Sequence, residues 1–219
     1  MRHELRVFES VEDLARAGAS YIYDLSREGT SGGPFSLALS GGRTPWRMLQ
    51  ELTTLEVTWD DTVIFQVDER VAAEGSDERN LTHLQSFLDA TKVRVDAMDV
   101  NNVDLEGAAQ RYASGLPDRL DLVHLGLGPD GHCASLVPHD PVLEVTDRLV
   151  ALTNPYQNTR RMTFTYPAIA RADRLLWLVS GSDKREALAK LLDGDRSIPA
   201  GRVEAGHSLI MADRTAVPL

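Results

Sequence analysis

Apolar residues along this chain fall into two alternating kinds of pattern. From Val11 to Gly29, Leu14, Gly18, Tyr21, Ile22 and Leu25 recur at three- and four-residue spacing, which predicts a helix stopped at Gly29. A loop is expected over Thr30 to Pro34, then a short apolar strand over Phe35 to Ser40. The next helix opens with Thr44 as N-cap and Pro45 at its first position. Val63 to Val67 predicts another strand. The densest run, Leu120 to Leu127, carries Leu120, Leu122, Val123, Leu125 and Leu127, and suits a strand buried on both faces of a parallel sheet. Further strands are predicted over Val150 to Thr153, Leu175 to Ser180 and Ser208 to Met211. Helices are predicted over Asn80 to Leu88, Val103 to Leu116 and Lys184 to Leu192. Strands alternate with helices throughout, which predicts an α/β fold with a parallel sheet covered by helices on both faces. No repeat or linker divides residues 1–219, so a single domain is expected.

Composition narrows the function more than the fold. Lys plus Arg number 23 against 33 for Asp plus Glu, a net charge of −10, which argues against a nucleic-acid or anionic-membrane surface. A local basic pocket for a small anion remains open. The one cysteine, Cys133, can form no intrachain disulfide, and no apolar run has the length of a signal peptide or a membrane span. A cytoplasmic protein is expected.

The chemistry gathers after the predicted strands, where open parallel sheets bind ligands. After Leu127 comes Gly128-Pro129-Asp130-Gly131-His132, a carboxylate two residues from an imidazole in a glycine-rich loop. Such a carboxylate can orient the imidazole and favour its charged form. After Leu39 comes Ser40-Gly41-Gly42-Arg43-Thr44, a strand–glycine–helix pattern whose free N–H groups and helix dipole suit an anion, with Ser40 and Thr44 adding hydroxyls. It matches neither of the common nucleotide-binding glycine patterns. Asp68-Glu69-Arg70 follows the strand predicted over Val63 to Val67, and its arginine could grip a phosphate bidentately. Arg160, Arg161 and Lys184 are the remaining basic candidates. Cys133 is read as a small buried residue rather than a nucleophile, because neighbours in an extended loop point apart. His124 is read as a packed core histidine, and no histidine has ligand-like spacing for a metal.

In this order, LALSGGRTP, FQVDERV, DLVHLGLGPDGHCASLVP, RRMTFTYPAIARA and LVSGSDKREAL resemble the 6-phosphogluconolactonase family, within a wider group that also holds glucosamine-6-phosphate isomerase/deaminases. The resemblance covers about Phe35 to Leu192. It implies a three-layer α/β/α fold with a Rossmann-like sheet of the NagB/RpiA/CoA-transferase kind. It also implies hydrolysis of 6-phospho-D-glucono-1,5-lactone, the second step of the oxidative pentose phosphate pathway, without a cofactor or metal. On that resemblance His132 is the catalytic base and Asp130 its partner. Ser40, Gly41, Gly42, Thr44, Asp68, Arg70, Arg161 and Lys184 are expected around the substrate. The expected partner is a phosphorylated sugar lactone, and the expected assembly a monomer or small homo-oligomer. Deaminases of the group have D-E-Y where this chain has Asp68-Glu69-Arg70. They also carry an N-E-P glutamate where it has Ser135-Leu136-Val137-Pro138, which favours the lactonase over a deaminase; the retained Asp130-Gly131-His132 argues against a non-catalytic sugar-phosphate sensor, since pure binding would not need a histidine base. Three departures from the family stand out: Cys133 for a usual threonine, Arg79 for a common serine, and His139-Asp140 where a glycine is usual.

Overall fold

The computed structural model describes residues 3–28 and 33–218; the predicted stop at Gly29 and most of the loop at 30–34 lie outside them. At its centre is the strand β6 (Leu120–Gly126), whose neighbours on both sides are parallel and apolar. Leu122 faces one hydrophobic core, and Val123 and Leu125 face the other, as the two-residue period of a doubly covered strand requires. Around β6 lies an all-parallel sheet of order β1-β10-β9-β6-β2-β3-β5. It comprises β1 (His3–Phe8), β2 (Phe35–Leu39), β3 (Thr62–Gln66), β5 (Arg94–Asp96), β9 (Ala172–Val179) and β10 (His207–Asp213).

One face is covered by α1 (Val11–Glu28), α2 (Arg43–Leu52) and α3 (Asn80–Leu88), which bring Leu14, Ile22, Met48, Leu49, Leu52 and Leu84 onto Leu37, Leu176 and Leu178. Each such fully buried leucine or isoleucine contributes roughly 1.5–3 kcal/mol. The other face is covered by α4 (Leu105–Gly115) and α6 (Arg185–Leu192), with the short helix α5 (Tyr166–Ile169). That face also carries a second sheet, of β4 (Asp68–Arg70), β7 (Val150–Leu152) and β8 (Arg161–Phe164), antiparallel in the order β4-β8-β7. The three-layer α/β/α reading therefore holds, with this small sheet built into one outer layer.

The sheet reverses its order of growth between β2 and β6. From β2 the chain moves outward through β3 to β5, then returns to β6 and builds away through β9 and β10. Loops leaving the carboxyl ends of β2 and β6 diverge there and open a crevice.

Several elements depart from the sequence reading. The helix after Phe35–Leu39 begins at Arg43 with Gly42 as N-cap, so neither Thr44 nor Pro45 holds its predicted place. The carbonyl of Gly42 accepts from Trp46 N–H at 3.0 Å, which draws Arg43 and Thr44 into the first turn. The helix predicted from Val103 starts at Leu105, because the Asp104 side chain accepts from Gly107 N–H and caps it there. Val150–Leu152 is a strand, but of the small antiparallel sheet.

Candidate active site

Ser40, Gly41, Asp68, Arg70, His132, Arg161 and Lys184 line one cleft of about 150 Å³ at the crevice between β2 and β6. Asp130 stands beside His132. Gly42 and Thr44 lie in the start of α2 and are not part of the cleft wall. A larger groove, about 700 Å³, runs between α4 and the segment leading into β7, but it gathers no comparable set of chemical groups.

The Asp130–His132 pair is shaped by a tight turn. Gly131 N–H donates to the Gly128 carbonyl at 3.0 Å, and Gly131 takes φ +82°, a conformation that favours glycine. Gly128 N–H in turn donates to the His132 carbonyl at 2.8 Å. The turn sets His132 Nδ1 at 2.6 Å from Asp130 Oδ1, which also accepts from the His132 backbone N–H at 3.2 Å. Tyr156 donates its hydroxyl to the other oxygen, Asp130 Oδ2, at 3.1 Å. Burial alone would raise the Asp130 pKa, but the hydrogen bond from His132 and its nearby charge hold the carboxyl well below the usual carboxylate range. An ionised Asp130 only accepts hydrogen bonds. In the neutral imidazole the proton therefore sits on Nδ1 and the lone pair on Nε2.

The opposite walls are cationic, with Arg161 buried and Arg70 and Lys184 half-buried. Arg70 donates through Nη1 to the Asn80 side-chain oxygen at 2.8 Å and to the Glu78 carbonyl at 3.0 Å. Arg161, only 6% exposed, lies over the Tyr156 ring at 4.9 Å and donates to Gln157 at 3.2 Å. Burial, followed by the positive charge of Arg70, lowers the Arg161 pKa. Among the described residues, Ser40 Oγ, Arg70 Nε and Arg161 Nε are buried with no hydrogen-bond partner in the protein. Buried polar atoms are normally paired, so three orphans in one cleft mark a place shaped for a polar ligand. Lys184 reaches the cleft from the turn after β9 and pairs with Asp183 at 3.1 Å. That turn is tied down by Asp213, which accepts from Ser180 Oγ at 2.5 Å and Gly181 N–H at 3.4 Å.

Supporting residues beyond those expected hold this arrangement. Glu69, fully buried, accepts from the backbone N–H groups of Arg70, Asn80 and Leu81, from Gln66 Nε2 and from Arg79 Nε. It thereby anchors the start of α3, and places Asn80 against Gly41, where a Cβ would lie 1.9 Å from Asn80 Oδ1. Asn80 Nδ2 donates to the Asp68 carbonyl, and Ser135 Oγ donates to Asp68 Oδ2 at 2.6 Å. Asp68 is thus a buried, tethered carboxylate, and the charged triplet is a strand rather than a solvated loop. Cys133 is fully buried and its thiol pKa is raised above the ordinary range by burial, which fits packing rather than nucleophilic chemistry. His139 takes φ +65°, which explains why a glycine would suit that position.

The sequence profile of the glucosamine-6-phosphate isomerases/6-phosphogluconolactonase family matches residues 9–212. The chain belongs to this family. A 6-phosphogluconolactonase of Mycobacterium bovis is 33% identical over 241 residues, spanning 99% of this chain and 98% of that protein. One from a Nostoc species is 35% identical over 173 residues, spanning 73% of this chain and 72% of that protein. The crystal structure of a 6-phosphogluconolactonase from Shewanella baltica has a TM-score of 0.87 at 25% identity, covering 97% of this chain and 98% of that chain. A monomeric glucosamine-6-phosphate deaminase has a TM-score of 0.83 at 20% identity and shares the fold. No helix among the described residues is long and apolar enough to cross a membrane.

Proposed function

We propose that this family member hydrolyses 6-phospho-D-glucono-1,5-lactone to 6-phospho-D-gluconate. One observation carries the reading: an imidazole oriented by a carboxylate faces a small cleft with three buried, unpaired donors and a lysine. Relatives named 6-phosphogluconolactonase that align over nearly the whole chain support it.

A lactone is an activated ester, so water can attack it without a covalent enzyme intermediate. In the proposed step, His132 Nε2 takes a proton from water as its oxygen bonds to the C1 carbonyl carbon. The imidazolium, stabilised by Asp130, then returns the proton to the ring oxygen as the C1–O bond breaks. General base catalysis of this kind contributes about 10²- to 10⁴-fold. Ser40, Arg70, Arg161 and Lys184 would hold the phosphate and the developing oxyanion, with charge-assisted bonds that gain strength out of water. No metal, cofactor or nucleic acid enters this reading, which places a monomer or small homo-oligomer in the cytoplasm.

The test is hydrolysis of freshly generated 6-phosphogluconolactone, corrected for the spontaneous rate, with glucosamine 6-phosphate as a second substrate. Conversion of the amino sugar and not the lactone would favour a deaminase. Binding without turnover of either would leave a sugar-phosphate sensor.

A further inference from the structure

Tyr156 lies outside the cleft wall but touches both halves of the site. It sits at the start of a two-residue hairpin in which Tyr156 N–H donates to the Thr159 carbonyl at 3.1 Å and Thr159 N–H returns the bond at 3.3 Å. Gln157 and Asn158 between them take φ +51° and +66°, the left-handed pair of a type I′ turn. The hairpin leads directly into β8 and Arg161. Its tyrosine ring meets the His132 ring edge-on, with centroids 5.7 Å apart, and lies beneath the Arg161 guanidinium. Its hydroxyl occupies the Asp130 oxygen that His132 does not use.

We infer that Tyr156 is a positioning residue with separable parts: its hydroxyl sets the orientation and charge of the Asp130 carboxylate behind His132, and its ring seats Arg161. A carboxylate with one oxygen bonded to His132 can still rotate about its Cβ–Cγ bond; a donor on the second oxygen stops that rotation. The same donor draws negative charge away from the imidazole. Removing it exposes His132 to the full charge of Asp130, which stabilises the imidazolium and raises the imidazole pKa. The other charged groups around the His132 cleft are Asp68 and Arg70 from β4, Arg161 from β8 and Lys184 from the turn after β9. All are unchanged in Tyr156→Phe, so a shift in that variant isolates the hydroxyl.

The kinetic arm rests on the hydrolytic reading above; the titration arm does not. For Tyr156→Phe, kcat should fall about three- to tenfold with KM within about twofold, since only the orientation of the base changes. The acid limb of the kcat/KM profile should move up by about half a pH unit. The His132 imidazole resonance, assigned with a His132→Gln variant, should titrate at correspondingly higher pH. Tyr156→Leu, which also removes the ring, should add a rise in KM of about five- to tenfold through loss of the contact beneath Arg161. Tyr156 is half-buried at a hairpin, so both variants should keep the wild-type melting profile. Wild-type kcat and an unmoved His132 titration in Tyr156→Phe would overturn the role of the hydroxyl. An unchanged KM in Tyr156→Leu would overturn that of the ring. If the wild-type protein hydrolyses no lactone, the hydrolytic reading fails while the titration still decides the hydroxyl's role.

Discussion

Gly128 offers a direct test of whether the Asp130–His132 geometry governs catalysis. A Cβ built on Gly128 would lie 2.1 Å from His132 Nδ1, 2.3 Å from His132 Cε1 and 2.6 Å from Asp130 Oδ1. Ordinary contact begins near 3.4 Å, so in Gly128→Ala the imidazole and carboxylate must retreat together. Gly128 does not take a positive φ, so its backbone accepts alanine without strain, and the perturbation falls on the two side chains. A displacement on the order of 1 Å at a reacting group costs about 10²-fold in rate, roughly 2.7 kcal/mol of transition-state stabilisation. The assay is kcat for 6-phosphogluconolactone hydrolysis, with the spontaneous rate subtracted and thermal melting run on the same preparation. The expected result is a folded variant with kcat reduced about a hundredfold or more. The reasoning is refuted by a folded Gly128→Ala protein whose kcat stays within about threefold of wild type.

Three further outcomes are expected. Burial with no partner on either ring nitrogen pushes His124 down to about 3 from its ordinary 6.5, so the folded state keeps it neutral. Its contribution to stability is full above pH 6.5 and shrinks as the pH falls toward 3, by about 2 kcal/mol at pH 5 and up to roughly 5 kcal/mol at the acid limit; in urea melts, His124→Leu should remove that part of the pH dependence, and curves parallel to wild type between pH 7 and 5 would disprove it. Glu69→Ala should destabilise the protein by about 3–5 kcal/mol, because Arg79 and a group of backbone donors lose their buried acceptor; a change below about 1 kcal/mol in chemical denaturation would contradict the network described for Glu69. Arg161→Ala should weaken binding of the phosphorylated lactone by about ten- to hundredfold and barely affect unphosphorylated gluconolactone; equal losses on both lactones would show that Arg161 does not hold the phosphate.

What could be read from the sequence was what neighbours along the chain decide. The apolar run at Leu120–Leu127 declared β6, and the spacing in Asn80–Leu88 returned α3 with its observed limits. Asp130 and His132 were legible as a pair because two residues of one loop separate them. β1 was missed because it is an edge strand, with polar residues at His3, Glu4 and Arg6, and so lacks the continuous apolar signature of its neighbours. β8 was hidden by the arginine pair at its start: Arg160-Arg161 read as cations, although Met162, Thr163 and Phe164 go on to bury fully. Asn80, Glu69 and Tyr156 gain their roles only when distant segments meet. Tyr156 stands 26 residues from Asp130 in sequence, and its Gln157-Asn158 turn lacks the glycine that usually marks a two-residue hairpin.

The placement of β10 between β9 and β1 has a consequence for biosynthesis. Among the described residues of the large sheet, β1 pairs with β10 alone, joining His3–Phe8 to residues 208–213. A ribosome adding about 5–20 residues per second needs roughly 10–40 s to pass from one to the other. Until then β1 has no strand to join, and α1 has only part of the surface it will finally cover. The segment made early is thus among the last to dock, and until β9 and β10 emerge α1 can cover its apolar face only in part, chiefly against α2.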